Sequence, residues 1–113
     1  MDPQTIIGNL EKLLAQGKES ALLRFSLGTE YLKLRQPWVA IFHLKRALEL
    51  DPEYSAAWKL RAVALADSGI LHEAYETFQR GIEVAKRRGD QQAAKEMEVF
   101  ARRVQKQIVA LHK

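Results

Sequence analysis

The chain has 113 residues, 47% hydrophobic and 28% charged, with no cysteine and a formal net charge of +4. That is enough for one small core and too little for two independent ones, and it excludes a disulfide framework, a thiolate metal site and cysteine chemistry. No apolar run reaches the roughly 18 residues of a membrane helix, and the opening MDPQTIIGNLEKLL lacks the basic start and unbroken apolar stretch of a signal peptide, so the expected compartment is the cytoplasm, without membrane contact.

From the N-terminus onward, apolar residues recur at i, i+3, i+4 and i+7 and no useful stretch alternates as a strand would, so the predicted class is all-α. Breaks at Gly17, Gln36-Pro37, Asp51-Pro52, Ser68-Gly69 and Gly89-Asp90 each pair a helix-ending residue with a cap or a first-turn proline. They delimit six helices, over about 3–16, 19–35, 37–50, 54–68, 71–88 and 90–111. The joints between the middle four are too short for anything but antiparallel hairpins. In the last helix Ala93, Met97, Phe100, Val104, Ile108 and Leu111 form one stripe, and Lys95, Arg102, Lys106 and Lys113 form another opposite it.

Shifting the sequence against itself by 34 residues aligns the joints and the apolar positions, so that the stretch from Ala21 matches the stretch from Ser55. The first copy carries Leu27, Gly28, Tyr31, Ala40, Leu44, Ala47 and Pro52, and the second Trp58, Ala62, Gly69, Ala74, Phe78 and Gly81. On these residues the chain resembles the tetratricopeptide repeat (TPR), a helix-turn-helix unit with large and small residues at fixed offsets. Small residues such as Gly28, Ala62, Ala40 and Ala74 belong where helices press together, and Tyr31, Trp58 and Phe78 fill the space between. Arg24, Arg61, Leu65 and Lys86 depart from the pattern, Lys86 standing where the second copy should have its proline. Ile6, Leu10, Leu13 and Leu14 make the first helix look like the second half of an earlier unit. The expected organisation is therefore a single domain over 1–113: a half-unit helix at 1–18, a first repeat at 21–54, a second at 55–88 and a capping helix at 89–113. The whole is similar to the short, free-standing bacterial proteins of this class.

The resemblance implies an α-α superhelix, a stack of about six antiparallel helices whose first helices line a concave face that receives a peptide or helix of another protein. Carried over residue by residue, the partner-binding positions are Leu22, Phe25, Thr29, Leu32 and Lys33 from the first unit. The second unit gives Lys59, Val63 and Asp67, with Ala56 and Ala66 beside them. The cap gives Glu98 and Arg102, with Gln91 and Ala94, if one extra residue is allowed around KRRGD. Relatives that hold acidic chaperone tails use a clamp of Lys, Arg and Asn on these faces. Here the only Asn is Asn9, off the groove, which speaks against that activity.

The last helix poses a separate question. It should span roughly 33 Å against roughly 21 Å for a hairpin helix of about 14 residues, so its end should overhang the domain. Ile108 and Leu111 would then lack cover unless a partner or a second copy supplied it, and a homodimer or higher oligomer in which Val104, Ile108 and Leu111 pack against another chain is the alternative to a monomeric adaptor. Other chemistry finds no support. His43, His72 and His112 lie in different helices without metal-site spacing or carboxylate company, so no metal is expected. There is no glycine-rich phosphate loop and no nucleophile, base and acid set, so neither an enzyme nor a cofactor is expected. A nucleic-acid-associated protein using KRRGD and the basic stripe is a further alternative, disfavoured because no aromatic residues alternate with those charges.

Overall fold

A computed structural model describes every residue from Met1 to Lys113. Six helices follow one another without a strand: α1 (Pro3–Ala15), α2 (Ala21–Lys33), α3 (Pro37–Leu50), α4 (Ser55–Asp67), α5 (Leu71–Arg87) and α6 (Gln91–Leu111). The all-α reading and the six helices hold, with ends within about two residues of those expected from the caps.

Local chemistry explains the boundaries. The side chains of Asp2, Ser20 and Asp90 accept from the N–H groups of Thr5, Leu23 and Ala93, satisfying donors that the first turns of α1, α2 and α6 leave free. Four helices stop in the same manner. After α1, α4 and α5 the chain turns left-handed at Gly17, Gly69 and Gly89, with φ between 77° and 79°. After α2 it does so at Arg35, with φ 59°. In each case the next N–H reaches five residues back, as from Gln36 to the Tyr31 carbonyl and from Ile70 to that of Leu65.

The chain separates into two compact units, Met1–Pro52 with α1 to α3 and Glu53–Lys113 with α4 to α6. In the first, Ile7 of α1 meets Leu23 and Leu27 of α2, with Leu10, Leu14, Tyr31 and Leu34 around them. Gly28 lets α2 approach α3 until a Cβ on it would stand 2.7 Å from Leu44 Cγ. In the second, Phe78, Leu65 and Met97 are fully buried, and Phe78 stacks on Phe100 at 5.7 Å. A Cβ on Gly81 would meet Met97 Sδ at 2.6 Å and Trp58 Cβ at 2.8 Å, so this one position holds α5 against both α4 and α6. Trp58 itself is half-buried.

One expectation fails in the second unit. Val104 and Ile108 are not left uncovered: both are buried, Ile108 to 8% exposure, while Leu111 stays 73% exposed. The cause is the length of α5. Pro52 follows two residues after α3 ends, but its counterpart 34 residues on is Lys86, which permits helix, and α5 runs 17 residues against 14 for α3. α6 is therefore flanked along nearly its whole length, with His112 at its end 6.1 Å from His72 at the start of α5. The premise for a dimer through Val104 and Ile108 is removed.

Candidate functional site

In the first unit, α2 turns Leu23, Leu27 and Glu30 inward and presents Leu22, Phe25, Thr29 and Lys33 on the side away from them, with Leu32 half-buried at the edge. Leu22 is 65% exposed. The hydroxyls of Ser26 and Thr29 donate to the carbonyls of Leu22 and Phe25, at 2.9 and 3.0 Å, so both are spent on the helix itself and the face reads as apolar. Lys33 adds a cation at the far end, paired with Glu30 at 3.0 Å.

On another flank of α2, which carries Arg24 and Tyr31, lies a polar seam. Glu19 accepts from both forks of Arg46 and also from Arg24, and these bonds hold its carboxyl down at about 2. Arg24 donates onward to His43 Nδ1 at 3.0 Å, which fixes the neutral imidazole with its proton on Nε2. Burial, then the Arg24 charge, pushes the His43 pKa down. Tyr31 stacks on His43 at 5.5 Å and donates to Glu11 at 2.7 Å, which raises its own pKa. Residues from all three helices thus meet in one network.

In the second unit, α4 carries Lys59, Val63 and Asp67 on its free side, and α6 adds to that side residues other than those expected. Lys59 pairs with Glu96 at 2.5 Å and stands 6.0 Å over the ring of Phe100. The Glu96 carboxyl is pulled down by Lys59 and then by Gln92. Glu98 and Arg102 lie on the opposite flank of α6, where with Tyr75, Gln79 and Lys86 they line a shallow groove of about 270 Å³ beside α5. There Glu98 pairs with Lys86 at 3.2 Å. Lys59 is thus not brought together with Glu98 and Arg102. The register of α6 is set by its buried Ala94, Met97, Ala101, Val104 and Ile108, which leave Glu96 and Phe100 on the α4 side. The signal that could have found this was the apolar Phe100 beside the acidic Glu96, one turn away.

The departures from the repeat pattern also find places. Arg24 belongs to the polar seam, and Arg61 reaches Thr77 and Glu73 from α4 to α5. No group of three or more His, Cys, Asp or Glu comes together in a way that could hold a metal ion, and no helix is long and apolar enough to cross a membrane.

No protein-family model matches the chain. It is, however, 46% identical over 99 residues to a TPR repeat-containing protein of Pseudomonas aeruginosa, a match covering 88% of this chain and 94% of that one. The chain belongs to the tetratricopeptide repeat family. A solution structure of a protein from Bordetella parapertussis is 40% identical, with a TM-score of 0.81, and the match covers 94% of this chain and 92% of that one. The crystal structure of YrrB, described as a TPR protein with an unusual peptide-binding site, is 30% identical with a TM-score of 0.66, the match covering 94% of this chain and 62% of that one. The TPR architecture is that of a helical repeat stack, and it suggests a protein-protein interaction module.

Proposed function

We propose that this TPR chain is a non-catalytic, cytoplasmic adaptor. In this reading the face of α2 that bears the exposed Leu22 receives an apolar peptide or helix of another protein in the first unit, and in the second unit the face shared by α4 and α6 receives a partner segment. The observation that carries the reading is the α2 face. Leu22 is left in water next to Phe25, with the intervening hydroxyls turned onto the backbone, so the surface is prepared for apolar contact at no cost in unsatisfied polar groups. In the second unit Lys59, half covered by Glu96 and Phe100, supplies a positioned cation.

The reading is tested by placing a photo-cross-linking residue at position 22 in the native cell, identifying the captured protein and titrating its segment against the purified chain. Leu22→Asp should weaken that affinity at least tenfold while the melting midpoint moves by no more than a degree or two, because an exposed side chain contributes little to stability. Unchanged affinity would move the site off this face.

A further inference from the structure

α3 carries a surface that neither face above includes. Trp38 and Phe42 stand one turn apart on the side of α3 opposite its buried Ala40, Leu44 and Ala47, and they are 66% and 62% exposed. With about 200 Å² of surface per ring, the two present roughly 250 Å² of aromatic area to water. Lys45 follows at the next turn of the same stripe, and Arg35 lies in the turn that leads into the helix. Neither cation takes part in any of the chain's ion pairs.

The repeat supplies an internal control. Thirty-four residues on, the counterparts of Arg35, Trp38 and Phe42 are Gly69, His72 and Glu76, all exposed, and α5 is as regular a helix as α3. The fold therefore does not call for aromatic rings at these positions. Arg35 makes the same point independently. It occupies the left-handed conformation, φ 59°, that the other three helix ends give to glycine, and the strain returns no hydrogen bond or ion pair from its side chain. A strained, unpaired arginine next to two uncovered rings is poorly explained by folding and well explained by binding.

We propose that Arg35, Trp38, Phe42 and Lys45 form a docking stripe for an acidic amphipathic segment of another protein. Its apolar side chains lie on the two rings and its carboxylates meet the two cations. Charge selects this occupant. Both free charges on the stripe are positive, whereas Glu49 on the same helix is already engaged by Arg46 at 3.5 Å. A second copy of a chain with net charge +4 would be repelled, and roughly 250 Å² per side falls well short of the about 800 Å² that a stable dimer buries.

The test selects a random peptide-display library on the intact chain, then measures affinity for the enriched peptides by anisotropy. Enriched peptides should be net acidic, with large apolar residues three or four apart. Exchanging the second repeat's residues into the first, Trp38→His with Phe42→Glu, should weaken their binding at least tenfold at an unchanged melting midpoint. Arg35→Gly should weaken it several-fold while raising the midpoint, a divergence that a purely structural arginine would not produce. Leu22→Asp should leave this affinity unchanged, which separates the stripe from the α2 face. The proposal is overturned if no peptide is enriched, if the enriched peptides are not acidic, or if they bind the exchanged chain equally well. It is also overturned if the exchange abolishes concentration-dependent dimerisation in sedimentation, which would make the occupant a second copy. Binding to vesicles of phosphatidylcholine with phosphatidylglycerol, lost in the exchanged chain while acidic peptides fail to bind, would overturn it in favour of a lipid surface.

Discussion

The two units join their helices by different means over the same backbone plan. In the first, a buried apolar centre that includes Leu27, Leu44, Ala40 and Ala47 is flanked by a polar seam of Arg24, His43, Glu19 and Arg46. In the second, the counterpart of Arg24 is Trp58, that of His43 is Thr77 and that of Leu44 is Phe78, so α4 and α5 meet mainly through apolar volume. A repeat thus fixes where helices approach, by keeping a small buried residue at each of two equivalent places, Gly28 with Ala62 and Ala47 with Gly81, and leaves free what fills the space beside them. The apolar seam resists pH and tolerates no lost volume. The polar seam accepts water more readily and depends on the ionisation of its members.

The largest expected break in this comparison comes from removing volume. Phe78→Ala empties a site with no exposure and should destabilise the chain by about 3 to 5 kcal/mol, read from urea unfolding. A loss no greater than that of a surface substitution would show that the second unit is not held by apolar packing.

Arg35→Gly should act in the other direction, stabilising the first unit by about 1 kcal/mol because glycine takes the left-handed turn without a Cβ clash. For a chain of this size that corresponds to a rise of about 4 °C in the melting midpoint.

Acid sharpens the contrast most finely. The folded pKa of His43 lies below its ordinary 6.5, so the unfolded chain takes up its proton first. The stability associated with His43 is complete above that value and declines as the pH falls below it. Glu19, held at about 2 against an ordinary 4.5, adds a second decline below 4.5. Melts between about pH 7.5 and pH 5 should show the first decline, and His43→Asn, which keeps an acceptor for Arg24, should remove it without touching the second.

Much of this architecture was legible in the sequence. Gly28 opposite Leu44, Gly81 opposite Trp58 and the left-handed Gly17, Gly69 and Gly89 are single residues whose backbone demands are visible without coordinates. What escaped depended on more than one element. The length of α5, expected over 71–88 and observed as Leu71–Arg87, was legible, but the cover that it gives Ile108 on another helix was not. The side of α6 that meets Lys59 depended on a loop geometry that spacing alone left free by one residue. The polar seam links residues 19 and 27 positions apart, and its existence rests on side-chain rotamers that no periodicity reports. Trp38 and Phe42 were visible in the self-comparison, since their counterparts are His72 and Glu76, but an apolar residue on a helix is ordinarily assigned to a core.

Within each unit every helix packs on the one that follows it, and in the second unit the ion pair that joins α4 to α6, Lys59 to Glu96, spans only 37 residues. Short loops of this kind are quick to close, which puts the chain among topologies that reach their native state in microseconds to milliseconds. Each hairpin can complete its contacts as soon as its second helix leaves the ribosome, so little apolar surface waits for distant sequence to be made. A strand-rich domain of equal length would have to search far longer.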